Sequence, residues 1–399
     1  MSGFLCSKLD EKMSLSNSFT VHESSIIQPW WLFKPFYQNY CLDNDDDEER
    51  DISKRNGAPL TPYMSRESLF TCKKIPPKET SSLNFATHMN GKKMINEYVK
   101  VRKISRGSYG KVALYLNINN GTPFAIKTVC KSRLRKMRVT QSETAMANVR
   151  REVRYCVYFV SIMKMLDHPN VVNLIEVIDD KKADYLYMVL EYVEGETISE
   201  ISRKTGPIDE STARSYFKDI IAGVIYLHSH NVIHGDMKPE NLLVTRSGRV
   251  KICDFSSSHA FEGANDELRR FPGTVAVTAP ECYLDASYHG KAADIWAVGV
   301  TFYYIVTGQL PFLGESIPET YEKILNSPLS LPEEIDPELK DLLQRLLCKD
   351  PIQRITSDVA AEHPWVVKEG GLVPRKSSCS CRLSCLLAKR HQNGNQQYI

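Results

Sequence analysis

From Tyr98 onward the chain sets apolar and polar residues in short alternating runs. Tyr98-Val99-Lys100-Val101, Val112-Ala113-Leu114-Tyr115-Leu116 and Pro123-Phe124-Ala125-Ile126-Lys127-Thr128-Val129 each fit the two-residue period of a strand. Asn119-Asn120-Gly121 supplies residues that tolerate a tight turn, so a hairpin is expected into the third strand. After a further strand-like run, Met188-Val189-Leu190-Glu191-Tyr192-Val193, the period lengthens to that of a helix, most clearly from Thr212 to His230 and from Ala293 to Thr307. The pattern predicts a sheet lobe followed by a helical lobe.

At both ends the periodicity fades. Residues 1–95 are rich in Ser and polar residues, with an acidic run from Asp43 to Asp51 and scattered prolines at 59, 62, 76 and 77, and are expected to be a largely disordered extension. Its exception is the aromatic cluster Pro29-Trp30-Trp31-Leu32-Phe33-Lys34-Pro35-Phe36-Tyr37, suited to packing within the chain or docking on a partner. Residues 366–399 form a basic tail containing Cys379, Cys381 and Cys385, expected to be a solvated extension, with acylation or calmodulin-like binding as the alternative.

Composition changes little in this picture. The 399 residues are 42% hydrophobic and 25% charged, as in ordinary globular proteins, and the net charge of +3 gives no reason to expect a nucleic-acid partner. No apolar run approaches the roughly 20 residues that span a bilayer, and Ser2 stands where N-myristoylation needs glycine. The first thirty residues lack a secretory apolar core, and the 11 cysteines form no CxxC pairs, so reduced, mostly buried thiols are expected. These features predict a cytoplasmic protein without integral membrane association, with the nucleus left open.

The chemistry concentrates in His234-Gly235-Asp236-Met237-Lys238-Pro239-Glu240-Asn241, followed thirteen positions later by Asp254-Phe255-Ser256. One loop system thus carries a carboxylate base, a cation and two oxygen ligands for a metal, which is what phosphoryl transfer to a hydroxyl requires. Upstream, Ile104-Ser105-Arg106-Gly107-Ser108-Tyr109-Gly110-Lys111-Val112 joins two strands and offers glycine backbone to cover phosphates, although Ser105 replaces the first glycine of G-x-G-x-x-G.

These motifs and their order resemble the protein kinase family, from Tyr98 to Trp365. The resemblance implies an α+β, bilobal protein-kinase fold, with a small antiparallel-sheet N-lobe and a larger helical C-lobe, over residues 98–365. It also implies ATP and Mg²⁺ as cofactors. Asp236 would be the base, Lys238 would steady the phosphoryl group, and Asn241 and Asp254 would bind the metal. Lys127 would reach the α- and β-phosphates and pair with a helix glutamate, for which Glu152 is the candidate. Ile104, Gly107, Tyr109, Gly110, Val112, Ala125, Glu191, Val193 and Leu243 would complete the nucleotide site. By the same resemblance Thr278 contacts Asp236 and Lys238, Glu281 pairs with Arg354, and Asp294 anchors the catalytic loop. Lys238-Pro239-Glu240 looks like the serine/threonine branch, and Glu240 offers a carboxylate to an arginine upstream of the substrate hydroxyl.

The basic insert from Lys131 to Arg138 resembles that of calmodulin-dependent kinase kinases. Ser142-Glu143-Thr144-Ala145-Met146, the His234-Gly235-Asp236 triplet and Tyr288-His289-Gly290-Lys291-Ala292-Ala293-Asp294 look closer still to the plant geminivirus Rep-interacting kinases. Those enzymes phosphorylate the activation loop of the sucrose-nonfermenting-related energy-sensor kinase, so the implied protein substrate is another kinase.

Three departures stand out. Gly235 occupies the position of an arginine that holds an activation-loop phosphate, and the stretch from His259 to Pro272 contains no Ser or Thr, carrying Asp266 and Glu267 beside Arg269 and Arg270. Competence without phosphorylation of that stretch is therefore expected. Ser256 replaces a glycine, which stiffens the metal loop. Finally, the helix glutamate should precede the His168-Pro169-Asn170 turn by nine residues, yet Phe159 stands there and Glu152 lies seven residues too early. Arg154-Tyr155-Cys156-Val157-Tyr158-Phe159-Val160 reads as an insertion that either displaces Glu152 by roughly 10 Å along a continuous helix or bulges out. A rival expectation follows, a nucleotide-binding pseudokinase or allosteric partner impaired by that insertion.

Overall fold

In the computed structural model, the described residues are 73, 75–106, 110–132, 158–261, 263–269 and 273–368. The aromatic cluster at 29–37, the acidic run, the Ser142–Met146 motif, most of the basic insert and the cysteine tail lie outside them.

The alternating runs close into an eight-stranded sheet. Its strands are β1 (Lys78–Thr80), β2 (Phe85–Thr87), β3 (Lys93–Ile95), β4 (Tyr98–Arg106), β5 (Gly110–Asn117), β6 (Pro123–Cys130), β7 (Leu174–Ile178) and β8 (Tyr185–Glu191), in the spatial order β1-β7-β8-β6-β5-β4-β3-β2. Every pairing is antiparallel except β1 with β7. The expected hairpin between β5 and β6 is present, closed by Asn117 and Thr122 around Gly121, which takes a φ of +70°. Three strands precede Tyr98, so the sheet begins within the stretch expected to be disordered. Sequence missed them because three-residue strands carry too few alternations to read.

One face of the sheet buries Ile95, Tyr98, Ala113, Tyr115, Ile126, Tyr187 and Val189 in a small core of its own. On the other face Val129, Leu186 and Met188 join the main core, where helix α1, which runs through residues 158–165, packs by Phe159, Val160, Ile162 and Met163.

The second lobe is helical, built on α2 (Ile198–Thr205), α3 (Glu210–Ser229), α4 (Glu281–Leu284) and α5 (Gly290–Thr307). Asp209 caps α3 by accepting the Thr212 N–H, and Thr197 and Glu200 form a reciprocal capping box on α2. α5 is buried along most of its length, with Trp296, Val298, Val300 and Phe302 fully buried, which explains its apolar sequence on all sides. Arg354, fully buried, forks onto Glu281 at 2.6 and 2.8 Å and ties α4 to the end of the lobe. Among the described residues no helix is long and apolar enough to cross a membrane.

Candidate active site

The catalytic loop hangs from a carboxylate at the start of α5. Asp294, 2% exposed, accepts the His234 and Gly235 N–H groups, each at 2.9 Å, and lies 3.0 Å from His228 Nε2. Gly235 has a φ of +76°, and a Cβ there would meet the Ser257 carbonyl oxygen at 2.7 Å, so glycine is required by conformation and by space. The loop is thereby laid against the segment that follows the metal-binding aspartate.

Asp236 and Lys238 meet at 2.7 Å in that loop. The Asn241 amide nitrogen donates to the Asp236 carbonyl at 2.8 Å and lies 3.3 Å from its Oδ2. With its nitrogen committed, Asn241 keeps its amide oxygen as its remaining polar atom. Across the cleft Lys127, on β6, pairs with Asp254 Oδ1 at 2.7 Å. Asp254 takes a left-handed conformation with φ of +61°, its carboxylate also accepting the Ser256 N–H, so Ser256 sits in a short 3-10 turn with the metal loop intact. Desolvation in the cleft opposes its charge, but the Lys127 ammonium outweighs that and holds the carboxyl well below the usual carboxylate range. Burial alone would lower the pKa of Lys238; Asp236, Glu240 and Asp254 raise it instead. Between them, burial pushes the Cys253 thiol up to about 12, leaving it neutral.

Two oxygen donors, one an ionised carboxylate, fit a hard divalent cation such as Mg²⁺, which keeps waters and takes the rest of its ligands from phosphates. Held by Asn241 and Asp254, such an ion would supply positive charge against the negative charge that develops on the phosphates during transfer.

Two of the nucleotide-site candidates, Val112 and Ala125, share the sheet face of Lys127. Val112 pairs with Lys127 across β5 and β6, and Ala125 lies two residues along on the same face. Ile104 sits at an irregularity in the pairing of β4 with β5, where it is 40% exposed. Gly110 is fixed by close approach, since a Cβ would lie 2.0 Å from the Thr128 carbonyl oxygen. Glu191 ends β8 and Val193 follows it, while Leu243 is on a strand of the second lobe, Leu242–Thr245. Gly107, Tyr109 and Glu152 lie outside the described residues.

A protein kinase domain matches residues 98–366. The chain belongs to the protein kinase family. It is 50% identical to serine/threonine-protein kinase GRIK1 of Arabidopsis thaliana, covering 84% of this chain and 82% of the relative. It is 53% identical to GRIK2 of the same plant, over 78% of this chain and 75% of the relative. The calcium/calmodulin-dependent protein kinase kinase of Caenorhabditis elegans is more distant, at 34% over 88% of this chain and 65% of the relative. The chain is therefore an ATP-dependent serine/threonine protein kinase similar to the GRIK enzymes.

In this kinase the hydroxyl that completes the catalytic pair is not the one the resemblance suggested. Thr274 accepts from Lys238 Nζ at 2.7 Å and donates its backbone N–H to Asp236 Oδ1 at 3.0 Å. The Thr278 hydroxyl donates to the Thr274 carbonyl at 2.9 Å, one step behind. Gly273 makes this approach possible, because a Cβ there would lie 2.6 Å from Asp236 Oδ1. The Gly-Thr pair was the available signal, since a glycine beside a hydroxyl residue marks a backbone that must come close.

Phe159 is the second residue whose role emerges only in three dimensions. The Lys127 ammonium lies 6.0 Å from its ring centroid, so the ring occupies the helix position facing the lysine. Its neighbour Tyr158 holds both backbone groups of Ala260 through one hydroxyl, each at 2.7 Å, and ties α1 to the chain just past the metal loop. Asp266 also differs from expectation. It accepts from His289 Nδ1 and from the Lys291 N–H, both at 2.8 Å, and so anchors the activation segment to the start of α5.

Proposed function

We propose that this kinase transfers the γ-phosphoryl group of ATP, with Mg²⁺ held by Asn241 and Asp254, to a Ser or Thr hydroxyl on the activation loop of a downstream energy-sensor kinase of the sucrose-nonfermenting-related type. The substrate oxygen forms its bond to the γ-phosphorus as the bond to the β-phosphate oxygen breaks, and the hydroxyl proton passes to Asp236. Lys238 balances charge on the transferring group, and Thr274 holds both residues in register. The observation that carries this reading is the Asp236–Lys238–Thr274 cluster at the cleft, open to an incoming hydroxyl once Lys238 turns to phosphate.

Two points support a kinase as substrate. The chain resembles plant enzymes that act on such an activation loop, and its Caenorhabditis elegans relative is named a kinase of protein kinases. Glu240 adds a recognition element: burial raises its pKa, and its Oε2 has no hydrogen-bond partner, which suits a basic side chain upstream of the accepting hydroxyl. We also propose a cytoplasmic location, with the nucleus left open. We also propose that activity needs no phosphate between His259 and Pro272, since Asp266 already fixes this segment.

The test is transfer of radiolabelled phosphate to the recombinant downstream kinase, with its activation-loop threonine intact or changed to alanine. Incorporation that depends on that threonine and disappears in Asp236→Ala supports the assignment. Labelling that persists in the alanine target refutes it.

A further inference from the structure

Lys73 and the strand Lys78–Thr80 precede the stretch matched by the protein kinase domain, yet they touch three parts of the ATP lobe. Lys73, 6% exposed, donates from Nζ to the Leu174 carbonyl at 2.5 Å. Burial lowers its pKa to about 8, with Asp167 and Glu191 acting in the opposite sense. β1 then runs along β7 in the register Lys78 to Glu176, Glu79 to Val177 and Thr80 to Ile178. Glu176, 1% exposed beneath the sheet, accepts from the Thr80 hydroxyl and from Tyr98 at 2.6 Å, and lies 3.1 Å from the Lys78 ammonium. Glu79 pairs with Lys164 of α1 at 2.7 Å.

We infer that Lys73 and Glu79 are positioning residues for the nucleotide site, which hold the Glu191 end of β8 and helix α1 in place around Lys127. The Leu174 carbonyl taken by Lys73 belongs to the residue paired with Leu190, and the next residue of β8, Glu191, is bound to the neighbouring Asn173 by two bonds of 3.0 Å. Lys73 therefore adds a further tie to the corner where the adenine edge is expected. At the other end, Glu79 restrains the helix that carries Phe159 to within 6.0 Å of Lys127. An exposed ion pair adds little stability, so its effect is on where the helix rests.

Nucleotide binding tests this without a protein substrate, so its outcome is independent of the target proposed above. Full-length Lys73→Met, Lys73→Arg, Glu79→Lys, Lys164→Glu and the exchanged pair Glu79→Lys/Lys164→Glu would be compared for Mg·ADP affinity by calorimetry. All readings are taken at a temperature where circular dichroism shows each variant folded. Lys73→Met is expected to weaken Mg·ADP about tenfold, a charged hydrogen bond's worth, while Lys73→Arg stays within about threefold of the parent. Glu79→Lys and Lys164→Glu should each weaken Mg·ADP about two- to fivefold, and the exchanged pair should restore it. Unchanged affinity in Lys73→Met overturns the role of Lys73. Failure of the exchanged pair to recover overturns that of Glu79.

Discussion

Replacing Phe159 with glutamate puts a carboxylate at the position of α1 that faces Lys127, and the structure predicts opposite signs for two measurements. Phe159 is 4% exposed, so removing the ring from the core costs about 2–3 kcal/mol of stability, and burying a carboxylate adds to that. Yet the ring centroid is 6.0 Å from the Lys127 ammonium, and a carboxylate in its place attracts that charge by about 3 kcal/mol at an effective dielectric constant of about 20. At present the partner of Lys127 is Asp254, the residue needed for the metal. A second carboxylate relieves that competition. After desolvation is subtracted, a gain of about 1–2 kcal/mol remains, or about five- to thirtyfold in nucleotide affinity.

The assay pairs thermal denaturation with calorimetric titration of Mg·ADP for the parent, Phe159→Glu and Phe159→Gln. Phe159→Glu should melt lower and bind tighter, while Phe159→Gln should melt lower and bind no better. Weaker binding by Phe159→Glu than by Phe159→Gln would show that the ring does not mark the lysine's partner position. Deleting residues 154–160 is a related experiment, since it slides Arg151, Glu152 and Val153 into the places of Tyr158, Phe159 and Val160. It should restore the lysine's partner while losing the Tyr158 bridge to Ala260.

Thr274→Ala should lower kcat about tenfold, because Lys238 loses the hydroxyl that accepts from it while the backbone N–H to Asp236 remains, and Thr278→Ala should lower it less; steady-state kinetics would check the order. Gly235→Arg should melt several degrees lower, since its left-handed backbone and the Ser257 carbonyl at 2.7 Å leave no room for a Cβ, at a cost of about 1–3 kcal/mol by denaturant titration. Lys73 has its folded pKa lowered to about 8 from 10.5, so the unfolded chain binds its proton more tightly and folding stability should rise between about pH 8 and 10.5. The parent should gain about 3 kcal/mol over that window relative to Lys73→Met, measured by urea unfolding. Arg354→Met should cost about 3–5 kcal/mol by the same method, because it strands the buried Glu281 carboxylate.

Much of the catalytic loop was legible because its chemistry is local. Asp236, Lys238 and Asn241 lie within six residues, and a loop that short brings them together whatever surrounds it. The alternation of β4 to β6 was legible for a similar reason, each strand being long enough to show its period. What escaped depended on distant partners. Thr274 reaches Asp236 across 38 residues, and the missing side chain of Gly273 lets it come that close. Lys73 and Glu79 sit in a polar, proline-bearing stretch whose composition reads as disordered. Their order comes from β7, a strand about a hundred residues later that offers an open edge and a buried carboxylate. Composition records what a segment can bury alone, and it does not register a partner elsewhere in the chain.

Asp266 changes the meaning of the missing arginine at Gly235. A phosphate held by an arginine fixes an activation segment from the catalytic-loop side, with the charge added when it is needed. Here the segment is fixed from the opposite side, by a built-in carboxylate that caps the start of α5, the helix whose Asp294 also suspends His234 and Gly235. Both halves of the site thus hang from the first turns of one buried helix. With the anchor permanent, an arginine at 235 has nothing to gather. The glycine is then free to serve a different need, the close passage of Ser257, which brings Asp254 and Asp236 to opposite walls of the same cleft.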